Sequence, residues 1–214
     1  MRPIFSIIIG MFILTLSSCE LDNFLFNAKS IEEYTLPGNN IPESAIEQVT
    51  FESGGNTLFG YWVDSYYKYR GSDQYAYPWS SITILYCHGN KHNIDYYWDR
   101  VMYLHSIGTN VFIFDYRGFG LSEGESSEQG LYEDGAAALA YLNTRPDFSL
   151  DSLCLYGFSL GNVVSIYLAA ELVDPICLFA EAPFASSNSL TQGSSILDLP
   201  SGWLIDGEFD NAER

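Results

Sequence analysis

Four short apolar runs limit what this chain can fold into. Ile82–Cys87, Val111–Phe114, Ser152–Tyr156 and Ile176–Ala180 are nearly unbroken hydrophobic stretches. A strand with one face in water alternates apolar and polar residues, whereas a strand covered on both faces, as in a parallel sheet, does not. Between the runs lie Asp95–Ile107, Gln129–Asn143 and Leu160–Leu172, which read as helices. Gly108 stands where the first helix needs a C-cap, and Pro146 follows the second. Alternation of this kind predicts an α/β fold built on a doubly wound, mostly parallel sheet. Ahead of it, Ala45–Glu52 and Thr57–Asp64 flank Ser53-Gly54-Gly55-Asn56, the pattern of an antiparallel hairpin. Tyr66–Ser81 reads as a loop.

Open α/β sheets bind ligands beyond the carboxyl ends of their strands, so the segments after each apolar run carry the chemistry. Ser152–Tyr156 runs into Gly157-Phe158-Ser159-Leu160-Gly161 and then a helix. This is G-x-S-x-G in the strand–turn–helix setting that the motif requires. A serine on a sharp turn projects its hydroxyl into the cleft. Glycines two residues either side let strand and helix backbones approach. The helix N-terminus adds partial positive charge where an oxyanion would form. Ile82–Cys87 ends in His88-Gly89-Asn90, and Val111–Phe114 ends in Asp115-Tyr116-Arg117-Gly118-Phe119-Gly120-Leu121-Ser122. Ile176–Ala180 ends in Glu181-Ala182-Pro183-Phe184.

With these motifs in this order, residues from about 45 to 210 resemble an α/β-hydrolase of the serine aminopeptidase-like and lysophospholipase-like branch. The resemblance implies Ser159 as nucleophile, with backbone amides near Asn90 and of Leu160 as the oxyanion hole. Gly157 and Gly161 shape the turn, and His88 and Gly89 shape the oxyanion loop. Asp115 and Arg117 fix the loop after the fourth strand of the family through buried polar contacts. Glu181 is loop architecture in most of the family, although some members place the catalytic acid there. The implied substrate is a small ester, thioester or amide, cleaved without metal or organic cofactor. A Ser-His-acid triad also needs a base and an orienting acid, in the chain order Ser, acid, His. The three histidines, His88, His92 and His105, all precede Ser159. The sequence thus reads as an incomplete hydrolase lacking the last strands, with acid and histidine missing. The alternatives are a non-catalytic envelope binding protein, or a rearranged site with His92 as base.

The N-terminus speaks to location. Arg2 precedes an apolar run, Ile4–Leu16, of signal-peptide length and too short to span a bilayer. Leu16-Ser17-Ser18-Cys19 resembles a bacterial lipobox, in which the cysteine is lipidated and becomes the new N-terminus. The expected organisation is a signal peptide over 1–18, a tether over 19–44, and the hydrolase domain over 45–214, with 186–206 as a small cap or lid. Membrane attachment through Cys19 places the protein in a bacterial cell envelope. A net charge of −18 argues against nucleic acid, whose phosphates such a field repels. Apolar residues at 47% against 17% charged allow a sizeable core. The spacing of Cys87, Cys154 and Cys177 shows neither a disulfide framework nor a metal pattern, so they read as buried thiols. Tyrosines between Tyr61 and Tyr77, with Tyr96 and Tyr97, read as amphipathic surface or a cleft wall.

Overall fold

The computed structural model of the chain describes residues 26–65, 79–186 and 209–212. The signal run, Cys19, most of Tyr66–Ser81 and nearly all of 186–206 lie outside the described residues. The strands, in chain order, are β1 (Asn27–Ala28), β2 (Ile46–Ser53), β3 (Asn56–Val63), β4 (Thr83–Cys87), β5 (Lys91–His92), β6 (Asn110–Phe114), β7 (Leu153–Phe158) and β8 (Cys177–Glu181). Among the described residues three α-helices connect them: α1 (Ile94–Ser106), α2 (Glu128–Leu142) and α3 (Gly161–Glu171). Six strands form one sheet in the order β2-β3-β6-β4-β7-β8. Its β2–β3 and β3–β6 pairs are antiparallel and the others parallel. This is the expected α/β sheet.

The local chemistry explains the boundaries. The hairpin turns on Gly54 and Gly55, both at positive φ (58° and 84°), with Ser53 paired to Asn56. Such a two-residue turn carries the right-handed twist of the flanking strands. Helix α1 starts where the Asn93 side chain accepts the Asp95 N–H, and α2 where Ser127 accepts the Gly130 N–H. Both are N-caps that satisfy orphan donors. Gly108, at φ 95°, ends the α1 region.

Side chains on the two faces of the sheet enter separate cores. One, under α1, gathers Tyr61, Ile84, Tyr86, Trp98, Val101 and Ile113. The other, under α2 and α3, gathers Leu85, Phe112, Phe114, Leu139, Leu155 and Val164. All five residues of β4 and of β6 are buried, as double coverage demands. β8 departs from that pattern: it lies at the sheet's edge, and Leu178 through Glu181 are exposed. Among the described residues its apolar run stands at an edge, as a sheet lacking its last strands would leave it.

Three further expectations are corrected. Cys154 and Cys177 are not thiols but a disulfide, because the register of β7 and β8 sets them side by side on neighbouring strands. Cys87 is the buried free cysteine among the described residues, and burial pushes its thiol well above its ordinary pKa. Tyr61 and Tyr97 are core residues, whereas Tyr96 is exposed. The stretch expected as a tether is, from residue 26 onward, bound to the domain. Asn27 and Ala28 pair with Lys91 and His92, and Ser30 bridges to Gly120.

Two outcomes follow from the edge position of β8. Replacing Cys154 and Cys177 by alanine opens a link across 23 residues of sequence separation and is expected to cost about 2–4 kcal/mol. Denaturant titration measures this, and an unchanged midpoint would show that β8 is held without the bond. Exposed Leu178 and Phe179, on an edge that is unpaired among the described residues, predict concentration-dependent association of the 214-residue chain. Light scattering should show Phe179→Lys shifting it toward monomer; an unchanged distribution would clear the edge of that role.

Candidate active site

The site is built where β4, β6, β7 and β8 end. At the end of β7 the backbone turns on Ser159, which has φ 51°, and Leu160 (φ −54°, ψ −36°) opens helix α3. A non-glycine residue in the left-handed region is uncommon and costs roughly 1–2 kcal/mol, so neighbouring contacts must hold it there. The Ser159 N–H donates to the Glu181 carbonyl at 3.0 Å, and the Ser159 carbonyl accepts the Asn162 N–H at 3.0 Å. Ser159 is half-buried, with a path to solvent.

Glycines let the next loop reach this turn. A β-carbon on Gly161 would overlap the Cys87 carbonyl and come within 2.7 Å of the His88 oxygen. One on Gly157 would overlap the Ser165 hydroxyl, and one on Gly89 would lie 2.8 Å from the Phe158 ring. The Ser159 turn and the His88-Gly89-Asn90 loop are therefore packed backbone to backbone. Leu160 brings a helix-start N–H, which has no intrahelical acceptor, to that seam. Asn90, half-buried, accepts the Asn27 N–H on its side-chain Oδ1 at 3.0 Å.

His88 is fully buried between the rings of Tyr97, Tyr116 and Phe119. Its Nδ1 lies 2.8 Å from the Gly89 carbonyl and its Nε2 lies 2.9 Å from Asp115 Oδ1. Nδ1 thus meets an acceptor in its own loop, while Nε2 lies beside a carboxylate of the loop after β6 without hydrogen-bond geometry to it. Asp115, also fully buried, takes the Ile94 N–H on Oδ1 at 3.0 Å and the Tyr34 hydroxyl on Oδ2 at 2.6 Å. Burial first, and then the Asp115 carboxylate, push the Tyr34 phenol upward, so it remains a donor. Arg117 reaches the buried Asp134 with its backbone N–H (2.8 Å), Nε (3.0 Å) and Nη2 (2.7 Å).

His92 sits in β5 with φ 61°, its ring 5.2 Å from Tyr96. Glu181 turns its carboxylate toward Arg100 (3.1 Å) and the Tyr156 hydroxyl. The Tyr156 bond first, and then Arg100, hold it below the usual carboxylate range. Burial first, and then that carboxylate, push Tyr156 up to about 12. A groove of about 620 Å³ lies beside these groups, on the flank between α1 and the sheet, walled by Ile84, Tyr103, Leu104, Ile107 and Phe179. Ser159 and Asn90 do not line it.

Three contributors escaped the sequence reading: the 27–35 segment across the loops, the Arg100–Glu181–Tyr156 cluster, and Asn162. A polar residue on the buried side of α3, three after the serine, was the one legible hint. Nothing in the sequence pairs Asn27 with residue 91.

Comparison with known proteins places the family and the fold. The uncharacterized protein YfhR of Salmonella typhimurium is 34% identical over 145 residues, covering 65% of this chain and 47% of that protein. The uncharacterized protein Rv2307c of Mycobacterium tuberculosis is 36% identical over 107 residues, covering 50% and 38%. The chain thus spans about half the length, or less, of these curated relatives. Among solved structures, the esterase Pf2001 of Pyrococcus furiosus matches with a TM-score of 0.54 and 25% identity, over 74% of this chain and 56% of that one. An α/β hydrolase from Vibrio vulnificus matches with a TM-score of 0.69 over 91% and 70%; at 19% identity the likeness is one of fold. The family model for serine aminopeptidase, S33, matches residues 80–195, just over half of the sequence. The chain belongs to the serine aminopeptidase S33 family of α/β hydrolases.

Proposed function

We propose that this chain carries the nucleophile and oxyanion hole of a serine hydrolase that cleaves a small ester, thioester or amide. The observation that supports this best is the left-handed turn at Ser159, packed against the loop that ends at Asn90. In the proposed reaction the Ser159 hydroxyl oxygen attacks the substrate carbonyl and gives up its proton to a base. The carbonyl oxygen becomes an oxyanion and receives hydrogen bonds from the amides of Asn90 and Leu160. Collapse expels the alcohol, thiol or amine and leaves an acyl group on Ser159, which water then removes. Removal of one oxyanion donor typically lowers the rate about 100- to 1,000-fold. The chemistry calls for no metal or organic cofactor.

The base and acid are not assigned to these 214 residues. No histidine follows Ser159, His88 is fully buried with Nδ1 on the Gly89 carbonyl and Nε2 beside Asp115, and Glu181 is engaged by Arg100 and Tyr156. A serine without a base is a weak nucleophile. We further propose that the protein is an envelope lipoprotein anchored through acyl chains on Cys19, supported by the Leu16-Ser17-Ser18-Cys19 sequence. Multiple acyl chains give the stable attachment that one chain does not.

Two measurements test these assignments. The 214-residue chain is expected to hydrolyse aryl esters close to background, and to form a slow fluorophosphonate adduct on Ser159 that Ser159→Ala abolishes. Robust Ser159-dependent turnover would overturn the missing-base assignment, while a folded chain that stays unlabelled would favour a binding protein without catalysis. Metabolic labelling with palmitate in a bacterial host is expected to mark the protein and to vanish in Cys19→Ala; equal labelling of both would sink the anchor.

A further inference from the structure

Asn162 lies in the first turn of α3 and is fully buried. Its side-chain Nδ2 donates to two carbonyls at once, that of Ser159 at 3.0 Å and that of Glu181 at 2.8 Å. Two facing carbonyls require the NH2 end of the amide, so its orientation is set chemically. The Glu181 carbonyl also accepts the Ser159 N–H, and the Ser159 carbonyl also accepts the Asn162 backbone N–H. Both peptide groups of Ser159 are thus tied, and Asn162 closes the ring between the turn and the end of β8.

Glu181 is itself held from outside. Its strand is at the sheet's edge and exposed, so packing alone does not locate its end. The carboxylate is clamped by Arg100 from α1 and Tyr156 from β7, and the Arg100 guanidinium lies 4.1 Å over the Phe158 ring. Clamp, Glu181 carbonyl, Asn162 amide and Ser159 form one continuous chain of contacts. A strained turn persists only where its surroundings over-determine it.

We propose that Asn162 is a positioning residue for Ser159, holding the serine turn against the end of β8 that Arg100 and Tyr156 lock through Glu181. This rests on the assignment of Ser159 as nucleophile. Each carbonyl keeps one other donor when the side chain is removed, so Asn162→Ala should fold. It should instead loosen the turn, and misplacement of a reacting group by about 1 Å costs on the order of 100-fold in rate.

The test uses the full 214-residue chain with two readouts, after thermal melts establish that each variant is folded at the assay temperature. In saturation kinetics with a fluorophosphonate, Asn162→Ala should lower the maximal labelling rate roughly 10- to 100-fold with half-saturation unchanged. Arg100→Ala should act in the same direction more weakly. Amide hydrogen exchange at Ser159 should quicken about tenfold or more in Asn162→Ala, the loss of roughly one hydrogen bond's hold. Labelling and exchange both unchanged from wild type would overturn the proposal, as would a loss expressed only in half-saturation. If wild type is never labelled, the nucleophile assignment fails, and the exchange measurement alone then decides whether Asn162 holds the turn.

Discussion

A carboxylate with no access to water must have all its partners in place, and at Asp115 those partners come from three other parts of the chain. Leaving such a charge unpaired costs several kcal/mol. Its oxygens take the first N–H of α1 and the Tyr34 hydroxyl, and face His88. Its backbone N–H reaches Phe59, and its carbonyl accepts the Ser122 hydroxyl. Gly120, at φ 56°, leaves room that a side chain would take from the carboxylate. The loop after β4, the loop after β6, the start of α1 and the N-terminal segment therefore assemble together or not at all. The approach of the His88-Gly89 backbone to the start of α3 is a result of that closure.

The same logic of enforced proximity runs through the seam between β4 and α3. Gly161 is required because the Cys87 and His88 carbonyls occupy the space of its side chain. Ser159 is held in a conformation that it would otherwise leave, through bonds at both of its peptide groups. The sheet edge at β8 thus acts on the turn although its own side chains are exposed.

Much of this was readable from residues alone, for identifiable reasons. Local rules gave the hairpin at Gly54-Gly55, Gly108 marked the end of α1, and unbroken hydrophobicity marked β4 and β6. The serine turn announced itself through glycine spacing. What stayed hidden depends on register or on long-range contact. Cys154 and Cys177 become partners only because β7 and β8 align those two positions. Apolar content could not tell the exposed β8 from the buried β4, since the difference lies in what neighbours them in space. Tyr34 meets Asp115 across 81 residues, with no local pattern to betray it.

The short β1 strand has a practical consequence. A chain trimmed to start at the hairpin, near residue 45, would look like a complete fold by hydrophobic pattern, yet it would lack the Asn27 N–H at Asn90 and the Tyr34 hydroxyl at Asp115. Domain boundaries drawn for expression or fusion therefore belong upstream of Phe26, which is itself buried in the core.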